Sequence, residues 1–152
     1  MGAGYDMRAY EKVWSNNVSF FELDQPNVQA HKLAALKSSG IASEHVNFVS
    51  VDFANENGIE RLIESGFDKS KKTLFLWEGV TLYFSEADVR KTMRDIRNEA
   101  TAGSVLIADI YAERFIEFGG KGSNKKILEQ TNEGVNFGLN FRPSMKRHCR
   151  NL

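Results

Sequence analysis

The sequence predicts an α/β domain built on parallel strands, and three observations carry that reading. Short apolar runs recur at residues 18–23, 46–51, 73–77 and 104–110. Segments with helical spacing of apolar residues separate them. Three of the four runs end on an acid. Strands that alternate with helices pair in parallel through right-handed crossovers.

The elements follow in chain order. The run at 18–23 stops at Asp24-Gln25-Pro26, and Pro26 suits the first turn of a helix, where a missing N–H leaves nothing unsatisfied. Val28, Leu33 and Leu36 then fall on one helical face, and Gly40 ends the helix. The run at 46–51 stops at Asp52. Ile59, Leu62 and Ile63 mark a short helix closed by Gly66. The run at 73–77 reads as the most fully buried strand and ends at Glu78-Gly79. Ser85 is a fit N-cap for a longer helix with Val89, Met93 and Ile96 inside. Gly103 breaks that helix before the run at 104–110. Residues 111–118 are helical in pattern, and 119–124 read as a loop. Lys69-Ser-Lys-Lys72 reads as a solvated turn.

Bulk properties narrow the function classes. A chain of 152 residues is about one domain by the usual range of roughly 100–200 residues. Lys+Arg and Asp+Glu balance at 20 each, which argues against nucleic acid or a membrane surface as partner. No apolar run reaches the ~18 residues of a membrane span. Cys149 is the only cysteine, so no intrachain disulfide forms, and a cytoplasmic setting is expected. His31, His45 and His148 have no metal-ligand spacing, and no metal site is expected.

The strand ends carry the chemistry. Parallel sheets bind ligands beyond the carboxyl ends of their strands. Gly2/Gly4/Asp6, Glu22/Asp24, Asp52 and Glu78 all belong to such ends. Asp24 lies 24 − 4 = 20 residues past Gly4, the spacing at which an acid receives the ribose hydroxyls of an adenosine cofactor. Glycines in the first loop let backbone approach the ligand without a Cβ. Each acid alone could equally be a helix cap; four at successive strand ends favour a shared adenosine site.

Two features separate the candidate cofactors. A dinucleotide fingerprint needs a third glycine, where this chain has Met7, and a helix N-terminus for the pyrophosphate. Asp6 sits where that anion would approach. S-adenosyl-L-methionine carries a sulfonium and an ammonium and no phosphate, so it suits the loop better.

The stretches GAGYDMRAY, FFELDQP, VDF and LFLWEGVTLYFSEADV together resemble the leucine carboxyl methyltransferase family over roughly residues 1–140. The resemblance implies a Rossmann-like class I methyltransferase sheet and an O-methyltransferase using S-adenosyl-L-methionine, closest to the bacterial small-molecule branch. It implies that Gly2 and Gly4 lie beneath the methionine part, that Asp24 binds the ribose, and that Asp52 and Phe53 hold the adenine. Glu78 would lie near the amino-acid end, with Tyr83 and Trp77 as candidates for lining the methyl-transfer cavity. The acceptor would be a small molecule or a carboxylate-bearing group.

The chain also departs from that family's pattern. The first strand, the N-terminal helices and the C-terminal strands have no counterpart here, so residues 1–141 are expected to form a partial cofactor-binding domain and 142–152 an irregular basic tail. Losing the central strand of a 3-2-1-4-5 order leaves two strand pairs with open inner edges, through which copies could associate. The chain alone is expected to show little or no activity. Two rival readings remain: a nicotinamide-dependent oxidoreductase on a similar sheet, and a non-catalytic remnant.

Overall fold

A computed structural model describes residues 1–11, 17–53, 55–120 and 134–139. The chain divides into two compact units, Met1–Lys72 and Thr73–Leu152. The expected basic tail at 142–152 and the loop residues 121–124 lie outside the described residues.

In the first unit, β1 (Phe20–Asp24) pairs in parallel with β2 (Val46–Ser50), with Phe20 opposite Val46 and Asp24 opposite Ser50. Helix α1 (Pro26–Ser38) connects them and opens on Pro26, as expected from its preset φ. Helix α2 (Gly58–Glu64) follows β2, and its N-cap Asn57 accepts the Ile59 N–H at 3.0 Å. The sheet is covered on both faces. Leu23 faces the start of α2, while the alternating Glu22 faces α1. Leu23, Leu36, Val46, Val49, Val51, Ile59 and Leu62 form the core of this unit.

The buried face of α1 differs from the expected stripe. Gln29, Lys32 and Leu36 point inward, and Leu33 is 39% exposed. Hydrogen bonding explains the exchange. Gln29 Nε2 donates to the carbonyls of Glu22 at 3.0 Å and Val49 at 2.8 Å, and its Oε1 accepts from Ser50 Oγ at 2.7 Å. Lys32 neutralises Glu22. A strand that buries an acid needs a helix that buries its partner.

In the second unit, β3 (Leu74–Trp77) pairs in parallel with β4 (Val105–Ala108), Leu74 opposite Val105 and Trp77 opposite Ala108. Helix α3 (Glu86–Glu99) joins them. Its N-cap Ser85 accepts the Asp88 N–H at 3.2 Å, and Val89 and Ile96 are buried as the spacing predicts. Helix α4 (Glu113–Gly120) follows β4. Residues 134–139 return to the same unit: Leu139 N–H donates to Tyr111 O and Leu139 O accepts Glu113 N–H, both at 2.8 Å.

The four strands therefore form two separate two-stranded parallel sheets, the split that the sequence implied. One expectation fails. Strand β3 is buried on one face only, where Phe75 and Trp77 lie. On the other face Leu74 is 53% exposed, and across the sheet Val105, opposite Leu74, and Ile107, opposite Leu76, are 53% and 47% exposed. A parallel strand reads as a continuous apolar run because both faces are normally covered. Among the described residues nothing in this unit covers the second face.

Candidate functional site

The first unit brings five of the sequence-derived site residues to the carboxyl ends of β1 and β2. Residues 1–6 form a tight loop against the end of β1. Gly2 N–H and Ala3 N–H both donate to Leu23 O, at 2.8 and 3.0 Å. Gly4 N–H donates to Asp24 Oδ2 at 2.6 Å, and Gln25 N–H to Asp24 Oδ1 at 2.7 Å. Gly2 and Gly4 have φ of +66° and +44°, in the left-handed region that other residues enter at a cost. The glycines thus serve the backbone's own conformation as well as close approach. A Cβ on Gly4 would meet nothing within 4 Å.

Asp24 has both oxygens engaged yet retains acceptor capacity, since a carboxylate offers about four lone-pair sites. Its position is set from two sides, by the loop and by the start of α1. Asp52 follows β2 beside it in the sheet order. Asp52 Oδ2 accepts Asn55 Nδ2 at 2.8 Å, and the Glu56 carboxylate accepts Asp52 N–H at 2.7 Å. Phe53 comes next, half-buried, with its ring 3.4 Å from where a Cβ on Gly58 would lie.

Two sequence readings change on this geometry. Glu22, grouped with Asp24 by position, is engaged by α1 instead: its Oε2 pairs with Lys32 Nζ at 2.7 Å. Burial raises the Glu22 carboxyl above its ordinary range, and Lys32 offsets this only in part. Asp6 carries a partner of its own, Arg8, whose Nε donates to Oδ2 at 2.8 Å and whose N–H donates to Oδ1 at 2.9 Å. Burial would raise Asp6, but the Arg8 contacts together outweigh it and hold the carboxyl below its usual value. Paired in this way, Asp6 would repel a pyrophosphate less than a bare carboxylate. A different observation takes its place: within residues 1–11 the loop runs into a single 3₁₀ turn, Arg8–Tyr10, with no α-helix N-terminus to receive a phosphate.

Glu78 and Tyr83 lie in the second unit. Glu78 is exposed after β3, and the 3₁₀ turn Thr81–Tyr83 follows. The segment 134–139 holds that turn: Asn136 N–H donates to Leu82 O at 2.7 Å and Asn136 Nδ2 to Tyr83 O at 3.0 Å. Trp77 is 2% exposed, with its ring 6.1 Å from that of Phe84.

The sequence reading missed Asp109, at the end of β4. Its Oδ2 accepts Gly79 N–H at 2.7 Å and the Tyr111 hydroxyl at 3.1 Å, and its carbonyl accepts Thr81 Oγ1 at 2.6 Å. One acid therefore fixes both ends of the Glu78–Thr81 turn. Burial, then the Asp109 carboxylate, raises the Tyr111 phenol. The available signal was an acid closing a fourth apolar run, masked because the run read on to Ile110.

No helix among the described residues is long and apolar enough to cross a membrane. Residues 1–97 match the family model described as leucine carboxyl methyltransferase. A provisionally named S-adenosyl-L-methionine-dependent methyltransferase of Mycobacterium marinum is 34% identical over 118 residues, which is 77% of this chain and 37% of that protein. YktD of Bacillus subtilis, provisionally named for the same activity, is 28% identical over 129 residues, 84% of this chain and 41% of its own length. The chain spans little more than a third of the length of the curated relatives it matches.

Proposed function

Because the chain belongs to the leucine carboxyl methyltransferase family, we propose that it binds S-adenosyl-L-methionine and forms the cofactor-binding part of an O-methyltransferase. The observation that carries this reading is the glycine loop closed on Asp24, which within residues 1–11 leads into a 3₁₀ turn and not into a phosphate-binding helix. Asp24 retains lone pairs for the ribose hydroxyls. Asp52 and Phe53, at the next strand end, are the residues proposed to hold the adenine. The names of the relatives support the same cofactor.

When bound, the cofactor supplies an electrophilic methyl group on a sulfonium. The chain's own contribution is positioning, which accounts for most of the acceleration in such displacements. Gly2 and Gly4 shape the floor of the loop, Asp24 orients the ribose, and Glu78 is the acid proposed for the amino-acid end. Tyr83 is the candidate for the acceptor side. Among the described residues no histidine or lysine directly follows a strand, so no evident general base is placed at a described strand end. That favours an acceptor already ionised, a carboxylate, over a hydroxyl that must lose a proton. A cytoplasmic small molecule with a carboxylate is the proposed substrate class.

The test is calorimetric titration of the 152-residue chain with S-adenosylhomocysteine and, separately, NAD. Heat with the first and none with the second supports the reading, and the reverse overturns it in favour of an oxidoreductase. A methylation assay on the same chain is expected to show little or no turnover.

A further inference from the structure

We propose that Lys32 is a positioning residue for the glycine loop: its buried ammonium grips the Asp6 carbonyl and so sets the segment that receives the methionine end of the cofactor. This rests on the cofactor reading above and adds to it a residue on α1, outside every motif that pointed to the site.

Three contacts converge on one atom. Lys32 is 2% exposed. Its Nζ lies 2.7 Å from Glu22 Oε2, donates to Asp6 O at 2.6 Å, and sits 5.3 Å above the centre of the Tyr10 ring. An ammonium has three donors and no acceptor, and a carboxylate, a carbonyl and a ring face are the groups it seeks. The tie to Asp6 spans 26 residues and is the one that matters to the site. The loop's incoming limb is held by Leu23 O and Asp24, through Gly2, Ala3 and Gly4. Its outgoing limb is held to α1 by Lys32. Further along, His45 Nε2 lies 2.9 Å from Ala9 O.

Energetics argue that the pair exists for geometry. Two charges taken out of water lose hydration that their attraction repays only with excellent contacts, and an apolar pair of similar volume often does as well for stability. A methionine could fill the same space on α1. It has no N–H to donate to a backbone carbonyl. The buried cation is therefore best understood as a tether.

The test compares Lys32→Met, Lys32→Arg and the double variant Glu22→Gln/Lys32→Met with the 152-residue wild-type chain. Lys32→Met alone leaves Glu22 buried without its cation and can fail to fold; the double variant removes both charges and keeps the experiment decisive. Amide hydrogen exchange is read at Gly4 and Asp6, with the α2 amides of the same unit as control. Loss of the tether is expected to speed the loop amides by ~10-fold or more over the α2 amides, the effect of losing a hydrogen bond to a charged group. Lys32→Arg should restore much of that protection.

Affinity is then measured for S-adenosylhomocysteine and for adenosine, which lacks the methionine part. The double variant should lose ~10-fold for the first and less than ~3-fold for the second, on the scale where one such hydrogen bond is a factor of ten. Loop and α2 amides that accelerate together, or equal losses for both ligands, would overturn the positioning role. A wild-type chain that binds neither ligand would overturn the cofactor reading instead, and the exchange comparison would still decide the tether.

Discussion

Asp24 and Gly4, 20 residues apart, are joined by a 2.6 Å hydrogen bond from the backbone N–H of one to the carboxylate of the other. The acid proposed to hold the ribose is thereby the acid that shapes the glycine loop. Asp24→Ala should weaken S-adenosylhomocysteine by about 1–3 kcal/mol, the range for hydrogen bonds to a charged group. Asp24→Asn keeps one acceptor oxygen and should fall between alanine and wild type. Calorimetric affinities of the three proteins check the order.

Gly4→Ala isolates the backbone term. With φ at +44° and nothing within 4 Å of the added Cβ, the loss should come from conformation alone, about 1–2 kcal/mol. Asparagine tolerates this region better than alanine, so Gly4→Asn should cost less. Urea unfolding of both variants gives the comparison.

Gly138→Ala tests a steric term. A Cβ there would lie 2.7 Å from Ile116 Cγ1 and 2.8 Å from the Glu113 Cα, and backbone cannot yield as a side-chain tip can. A loss of about 1–3 kcal/mol is expected, as for other overpacked sites. The Tyr111 O and Glu113 N–H bonds to Leu139 should be the first to lose protection in hydrogen exchange.

Glu22 and Asp6 should titrate with opposite sign. Glu22 has a folded-state pKa raised above 4.5, first by burial, so its contribution to stability is full below that value and is lost as pH rises through the folded pKa. The stability of wild type relative to Glu22→Gln should therefore fall as pH rises from about 4 through that folded pKa. Asp6 is held below 3.8 because the Arg8 contacts outweigh burial. Its contribution is present above 3.8 and lost as pH falls through the folded pKa. The advantage of wild type over Arg8→Ala should vanish on acidification. Urea midpoints measured along a pH series separate the two.

Asp109→Asn should move the Tyr111 phenol back toward its ordinary value of 10.0, because the carboxylate contributes to the rise after burial. Ultraviolet titration of the phenolate, with Tyr111→Phe as the reference, reads the shift. The same substitution keeps an acceptor for Gly79 N–H, so the turn should survive.

Much of this architecture was legible in the residues. Apolar runs, three of them stopping at acids, placed all four strands within two residues of where they lie, and Ser85 and Pro26 marked their helix starts. The glycine loop and Asp24 were readable from spacing. The inward face of α1 was not, because the reading followed apolar side chains while Gln29 and Lys32 are buried through hydrogen bonds. Glu22 held the clue: an acid between Phe21 and Leu23 in a covered strand calls for a buried cation. Asp109 was hidden inside a run read as two residues longer. The burial of β3 was overread because an apolar strand records what its surface requires, and Leu74 stands uncovered.

That uncovered face gives the chain a colloidal character. Leu74, Val105 and Ile107 present aliphatic surface to water on a short sheet, and the formal net charge is zero with an isoelectric point near 6.8. Near neutral pH no mutual repulsion keeps copies apart, while an adhesive patch draws them together. Suspensions of the chain should therefore be least tolerant of concentration near the isoelectric pH of about 6.8 and more tolerant on either side of it. A lysine placed at Val105 would supply both the missing charge and a wetted surface without touching the core formed by Phe75 and Trp77.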